Sequence, residues 1–132
     1  MNEINITNWV IWQQKKGEDL STGSKGEEAA AGYLKGLGYE ILERNFRCRA
    51  GEIDIIAKDK STIVFVEVKT RRTLDYGLPC EAVTATKREH IRRVVRYYVH
   101  VKNIEDKALR IDVIEIIIKE GISYIHHIED AF

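Results

Sequence analysis

Asp54, Glu67 and Lys69 stand inside two stretches, "GEIDIIAK" and "TIVFVEVKT", whose other residues read as buried β-strand. Side chains alternate across a strand, so Glu67 and Lys69 share one face about 6.6 Å apart, while Val66 and Val68 point to the other. The same alternation sets Asp54 on the face opposite Ile53 and Ile55. The polar "DKS" between the stretches makes them a hairpin, and its turn decides whether the charges meet. A two-residue loop at Lys60 and Ser61 sets Asp54 across from Glu67. A three-residue loop sets it across from Val66 and turns it to the wrong face. The tighter turn is the expectation.

In that register two carboxylates and an amine converge. Like charges about 4 Å apart repel by roughly 4 kcal/mol at an effective dielectric of 20, so such a pair needs a proton or a cation between its members. Carboxylate oxygens suit Mg²⁺ or Mn²⁺, and Mg²⁺ takes one or two protein carboxylates while keeping waters and phosphate oxygens. Lys69, two residues beyond a metal ligand on the same face, can hold the attacking water and offset the charge of a phosphodiester transition state. The plainer alternative is a half-exposed strand with cross-strand ion pairs worth ~0.2 to 1 kcal/mol. Glu27 offers a third carboxylate, although a capping box with Ser24 already accounts for it. Glu52 shares the face of Asp54 but sits at the strand start, where a solvated carboxylate needs no partner.

A basic block lies beside these residues. Residues 69–102 carry nine Lys/Arg against three Asp/Glu, in a chain whose formal net charge is zero. Arg71 and Arg72 follow the charged strand, and Arg88, Arg92 and Arg96 form an i, i+4, i+8 row with Lys87 and Arg93 beside it. Such a row can neutralise several phosphates and make binding salt-dependent; an ordinary solvated helix face has the same composition. Tyr98 belongs to the apolar stripe of that helix, so no aromatic ladder supports base stacking. His126 and His127 are neighbours on a strand and face opposite sides, a poor arrangement for a metal pair. Cys48 and Cys80 form no CxxC motif and read as reduced structural thiols.

The elements that carry these residues follow from periodicity. Residues 1–23 show no clear period and read as an N-terminal arm with some helix, ahead of one domain at 24–132. Trp9 and Trp12 lie three apart and either pack on that domain or serve a homodimer contact. "SKGEEAAAGYLKGLG" is a helix with Ala30, Tyr33, Leu34 and Leu37 on its apolar face and Gly38 as its stop. "YEILERNF" and the two charged stretches are strands. A second helix begins near Thr86, capped by Thr86 and Glu89, with a core stripe of Ile91, Val94, Val95, Tyr98 and Val99. "RIDVIEIIIK" and "ISYIHHI" close the chain as two strands around "EG". No apolar run approaches the roughly 18 residues of a membrane helix, and "MNEINITNWVIWQQKK" lacks the features of a signal peptide, so the expectation is a cytoplasmic protein.

"GEEAA", "YLKGLGYEILERNFRCRAGEIDIIAKD", "IVFVEVKTRR", "GLPCEAVTATKREHIRR" and "RIDVIEI" together resemble the YraN-like uncharacterised protein family, whose members are similar to Holliday-junction resolvases and PD-(D/E)xK endonucleases. The likeness runs over residues 24–132 in one register. It implies an α+β, restriction-endonuclease-like fold with an αβββαβ core and a central mixed sheet flanked by helices. It also implies a Mg²⁺- or Mn²⁺-dependent endonuclease acting on duplex or branched DNA, with the alternative of a catalytically inactive nucleic-acid-binding or adaptor module. By position Asp54 and Glu67 match the motif's two acids and Lys69 its lysine. Glu27 matches the acid that resolvase-like members carry on the first helix, and Lys87 the polar residue that related nucleases place near the scissile phosphate. Ile53 stands where the motif has proline.

Overall fold

The computed structural model describes residues 9–12, 25–71 and 84–132. Ser24, Arg72, Cys80 and most of the N-terminal arm lie outside the described residues. In chain order the elements are strand β1 (Val10–Trp12), helix α1 (Lys25–Gly36), strands β2 (Glu40–Cys48), β3 (Gly51–Asp59) and β4 (Thr62–Arg71), helix α2 (Ala85–Lys102), and strands β5 (Ala108–Lys119) and β6 (Ile122–Ile128).

The strands form one mixed sheet in the order β1-β6-β5-β4-β3-β2. Among the described strands only β4 and β5 run parallel. Parallel neighbours need a long crossover, and α2 is that crossover. The two helices cover opposite faces. Ala29, Ala30, Ala31 and Leu34 of α1 pack on Ile55, Ala57, Val64, Val66, Ile114 and Ile116. Ile91, Val94, Val95, Tyr98 and Val99 of α2 pack on Ile53, Ile56, Ile63, Phe65 and Val113. This is an α+β fold with a mixed sheet flanked by helices, consistent with the restriction-endonuclease-like core expected above. The five-residue stripe of α2 is buried as its period requires.

Short side chains bring α1 close to the sheet. A Cβ at Gly26 would run into the Thr70 hydroxyl at the end of β4, and one at Gly32 would run into the Trp12 ring. The helix stops at Gly38 (φ 94°), with Tyr39 N–H donating to Leu34 C=O and Gly38 N–H to Lys35 C=O. That is the Schellman arrangement, and glycine tolerates its left-handed residue at no steric cost. Leu37, expected on the apolar face, falls just beyond the helix and is exposed. Asn103 (φ 55°) ends α2 with the same two bonds.

Three expectations need correction. Val10–Trp12 is a strand, not a helical piece, because the open edge of β6 supplies backbone partners from Val10↔Ile125 to Trp12↔Ser123. The N-cap of α2 is Thr84, whose hydroxyl accepts the Lys87 N–H at 3.2 Å; Thr86 lies inside the helix. Ile53 and Ile55 do not share a face, since Ile53 packs in the α2 layer and Ile55 in the α1 layer. The irregularity centres on Asp54, where the β3–β4 ladder ends at Ile55↔Val66. Beyond it the Val68 N–H donates to the Asp54 side chain.

Candidate active site

The turn is the two-residue one: Asp59 pairs with Thr62 across Lys60 and Ser61, and the ladder runs to Ile55↔Val66, next to Asp54 and Glu67. Lys60 makes this tight reversal by taking a left-handed backbone (φ 57°). The Asp54 carboxylate bends into the sheet and accepts the Val68 N–H at 2.7 Å. Burial, then the charge of Glu67, push the Asp54 carboxyl up to about 7; the Val68 hydrogen bond opposes them, and Glu27 and Glu52 add smaller repulsions. Glu67, Glu27 of α1 and Glu52 thus all lie close enough to act on Asp54.

Glu67 is buried, 7% exposed, among apolar strand residues. A lone carboxylate there would be costly, and two lysines answer it. Lys87 Nζ lies 2.8 Å from Glu67 Oε1, and Lys69 Nζ lies 3.7 Å from the same oxygen. Burial lowers the Lys69 pKa, the adjacent Lys87 ammonium lowers it further, and Glu67 and Asp54 only partly compensate. Burial works against the Lys87 charge too, but its bond to Glu67 outweighs this and its pKa is raised. One amine is thus poised to release its proton more readily than its neighbour.

A cleft of about 310 Å³ opens at this point, lined by Gly51, Glu52, Glu67, Thr84, Thr86, Lys87, His90, Ile91 and Val94. It lies between the start of β3 and the first turns of α2. Glu52 reaches its edge while pairing with Arg47 at 3.1 Å, a solvated ion pair as its strand-end position suggests. Thr86 was singled out only as a helix cap, and His90 not at all; His90 lies one turn beyond Lys87, which was the available signal.

Asp54, Glu67, Lys69 and Lys87 therefore come together, with Glu27 nearby. Among the described residues no three His, Cys, Asp or Glu stand in position to enclose a metal ion. Asp54 and Glu67 do offer carboxylate oxygens, the donor type that hard divalent cations take, and the charge of Glu67 helps raise the Asp54 pKa. The rest of the basic row stands apart from these acids in its pairings. Arg88 and Arg92 lie over the Phe132 ring at 5.3 and 5.8 Å, and Arg93 and Arg96 reach Glu89 at 3.5 and 3.6 Å. Arg71 leans toward Glu115, a buried acid in β5 that spacing did not flag. His126 and His127 do separate: His126 stacks on Trp9, whereas His127 bonds Asp112 at 2.6 Å.

The chain matches the family described as "Uncharacterised protein family UPF0102" over residues 26–116. It is 51% identical over 112 residues to a UPF0102 protein of Caldicellulosiruptor saccharolyticus, covering 83% of this chain and 95% of that one. It is 48% identical over 115 residues to a UPF0102 protein of Syntrophus aciditrophicus, covering 87% and 91%. A UPF0102 protein of Clostridium acetobutylicum is 52% identical over 112 residues, covering 83% and 92%. The matched span contains Glu27, Asp54, Glu67, Lys69 and Lys87.

Proposed function

The chain belongs to the uncharacterised family UPF0102, and we propose that it is a divalent-metal-dependent nuclease that hydrolyses DNA phosphodiester bonds. The observation that supports this reading is the gathering of Asp54, Glu67 and Lys69 beyond the two-residue turn: the Glu67 charge acts on Asp54, and Lys69 Nζ lies 3.7 Å from Glu67 Oε1. Asp54 and Glu67 would hold Mg²⁺ or Mn²⁺, with Glu27 completing or orienting the set from α1. A bound ion supplies Lewis-acid polarisation of a phosphoryl oxygen and acidifies a water. Asp54 is kept in place by the Val68 N–H, so its free oxygen is aimed rather than mobile. Lys69, its pKa lowered by burial and by Lys87, is suited to orient the water and take up its proton. Lys87 neutralises Glu67 in the free protein and is the natural group to move onto a phosphate oxygen.

The test is incubation with duplex, single-stranded and branched DNA in Mg²⁺, Mn²⁺ or chelator. Divalent-dependent strand scission is expected; intact DNA under every condition would refute the reading. A second reading, a DNA-binding module without catalysis, is favoured by one observation: the 2.8 Å Lys87 contact already satisfies Glu67 in the way a metal would. That reading predicts salt-sensitive DNA binding that neither chelator nor Glu67→Ala alters.

A further inference from the structure

Glu115 is fully buried, and neither of its carboxylate oxygens has a hydrogen-bond partner. Buried polar groups are almost always paired, so this one calls for a reason. It pairs in the parallel ladder with Lys69. Val113 belongs to the α2 layer and Ile114 and Ile116 to the α1 layer, so alternation turns Glu115 to the face that carries Glu67 and Lys69. Its ion-pair partner is Arg71, whose Nη2 lies 3.6 Å from Glu115 Oε1 and whose side chain is only 12% exposed. In the ladder, however, Arg71 pairs with Ile117. To reach Glu115 its side chain must turn back along β4 by about 6.6 Å, to the level of Lys69.

We propose that Glu115 is a positioning residue that holds the Arg71 guanidinium at the level of Lys69, where its planar fork grips the phosphate oxygens of a DNA backbone beside Glu67. This rests on the nuclease reading above and adds to it a carboxylate outside the metal set. A contact of 3.6 Å is too long for a hydrogen bond, so Glu115 directs the guanidinium by charge. Arginine loses much rotamer freedom when it binds a phosphate, and a buried carboxylate that restrains it beforehand removes part of that cost. Stability is a poor explanation for the pair, because buried ion pairs seldom outperform apolar packing.

A carboxylate that merely adds negative charge beside a DNA site weakens binding, so neutralising it should tighten binding. A carboxylate that positions an arginine predicts the reverse. Binding of a fluorescent duplex and a four-way junction is measured in chelator for the unsubstituted protein, Glu115→Gln, Arg71→Lys and the double variant, with thermal midpoints alongside. Glu115→Gln should weaken binding roughly 5- to 10-fold, about the size of one ordinary hydrogen bond, without lowering the midpoint. Arg71→Lys should weaken it similarly, and the double variant no more than either. Unchanged or tighter binding by Glu115→Gln overturns the inference. Should Glu115→Gln fail to fold, Arg71→Lys decides, and unchanged binding there overturns it equally. If the unsubstituted protein binds no DNA at any salt concentration, the nuclease reading itself falls and takes the inference with it.

Discussion

Asp54 carries opposed demands: its own burial, then the charge of Glu67, resist ionisation, and the Val68 hydrogen bond favours it. The first two win, and the carboxyl is pushed up to about 7. A carboxyl whose pKa is higher in the folded chain binds its proton more tightly there, so its contribution to stability is complete below the ordinary carboxylate range and fades as pH rises toward 7. Burial raises the Glu115 pKa as well, which adds the same sign. In chelator the thermal midpoint should therefore fall between pH 5 and pH 8, and Asp54→Asn should flatten that slope; a midpoint that rises over this range would contradict the assignment. Asp54, Glu67 and Lys69 were legible in the sequence because charges inside apolar strands stand out. Asp112 and Glu115 in "RIDVIEIIIK" obey the same logic, but their partners, Arg110 and His127 for one and Arg71 for the other, come from register that spacing alone does not supply.

Two glycines set how closely α1 approaches the sheet. Gly26 faces Thr70 at the site end of β4, one residue before Glu27, whereas Gly32 faces Trp12 of the edge strand. Overpacking at either position should cost roughly 1 to 3 kcal/mol in a denaturant titration. Only Gly26→Ala should also depress DNA cleavage beyond its stability loss, because only it displaces the turn that bears Glu27. Equal activity losses for Gly26→Ala and Gly32→Ala would remove Glu27 from the site. At the start of α2, Thr84→Ala should cost about 1 kcal/mol and Thr86→Ala much less. The helix positions and their buried stripes followed from period, but the cap did not, because "TATKRE" offers a capping box two residues too late. Nor did β1, whose three residues gain their identity from the β6 edge.

Over the whole molecule, both faces of the sheet carry core, and Glu67, Lys69 and Lys87 of the proposed site lie on the α2 side while Glu27 comes from α1. On the α1 side Asp112 accepts bonds from Arg110 at 2.9 and 3.1 Å, from His127 at 2.6 Å and from the Asp130 N–H at 3.0 Å, and Arg110 reaches Tyr39 and Asp59. Burial would raise the Asp112 pKa, but these donors outweigh it and lower it. Asp112→Ala leaves Arg110 and His127 without their acceptor and should cost about 3 to 5 kcal/mol in thermal or denaturant unfolding. No helix among the described residues is long and apolar enough to cross a membrane. The central claim concerns Glu67, and it is tested most directly by following cleavage of duplex and branched DNA in Mg²⁺ and Mn²⁺ by the unsubstituted protein and by Glu67→Ala. Divalent-dependent cleavage that drops about a hundredfold or more in a folded Glu67→Ala protein is the expected result. Cleavage at the same rate by both proteins, or by neither, would contradict it.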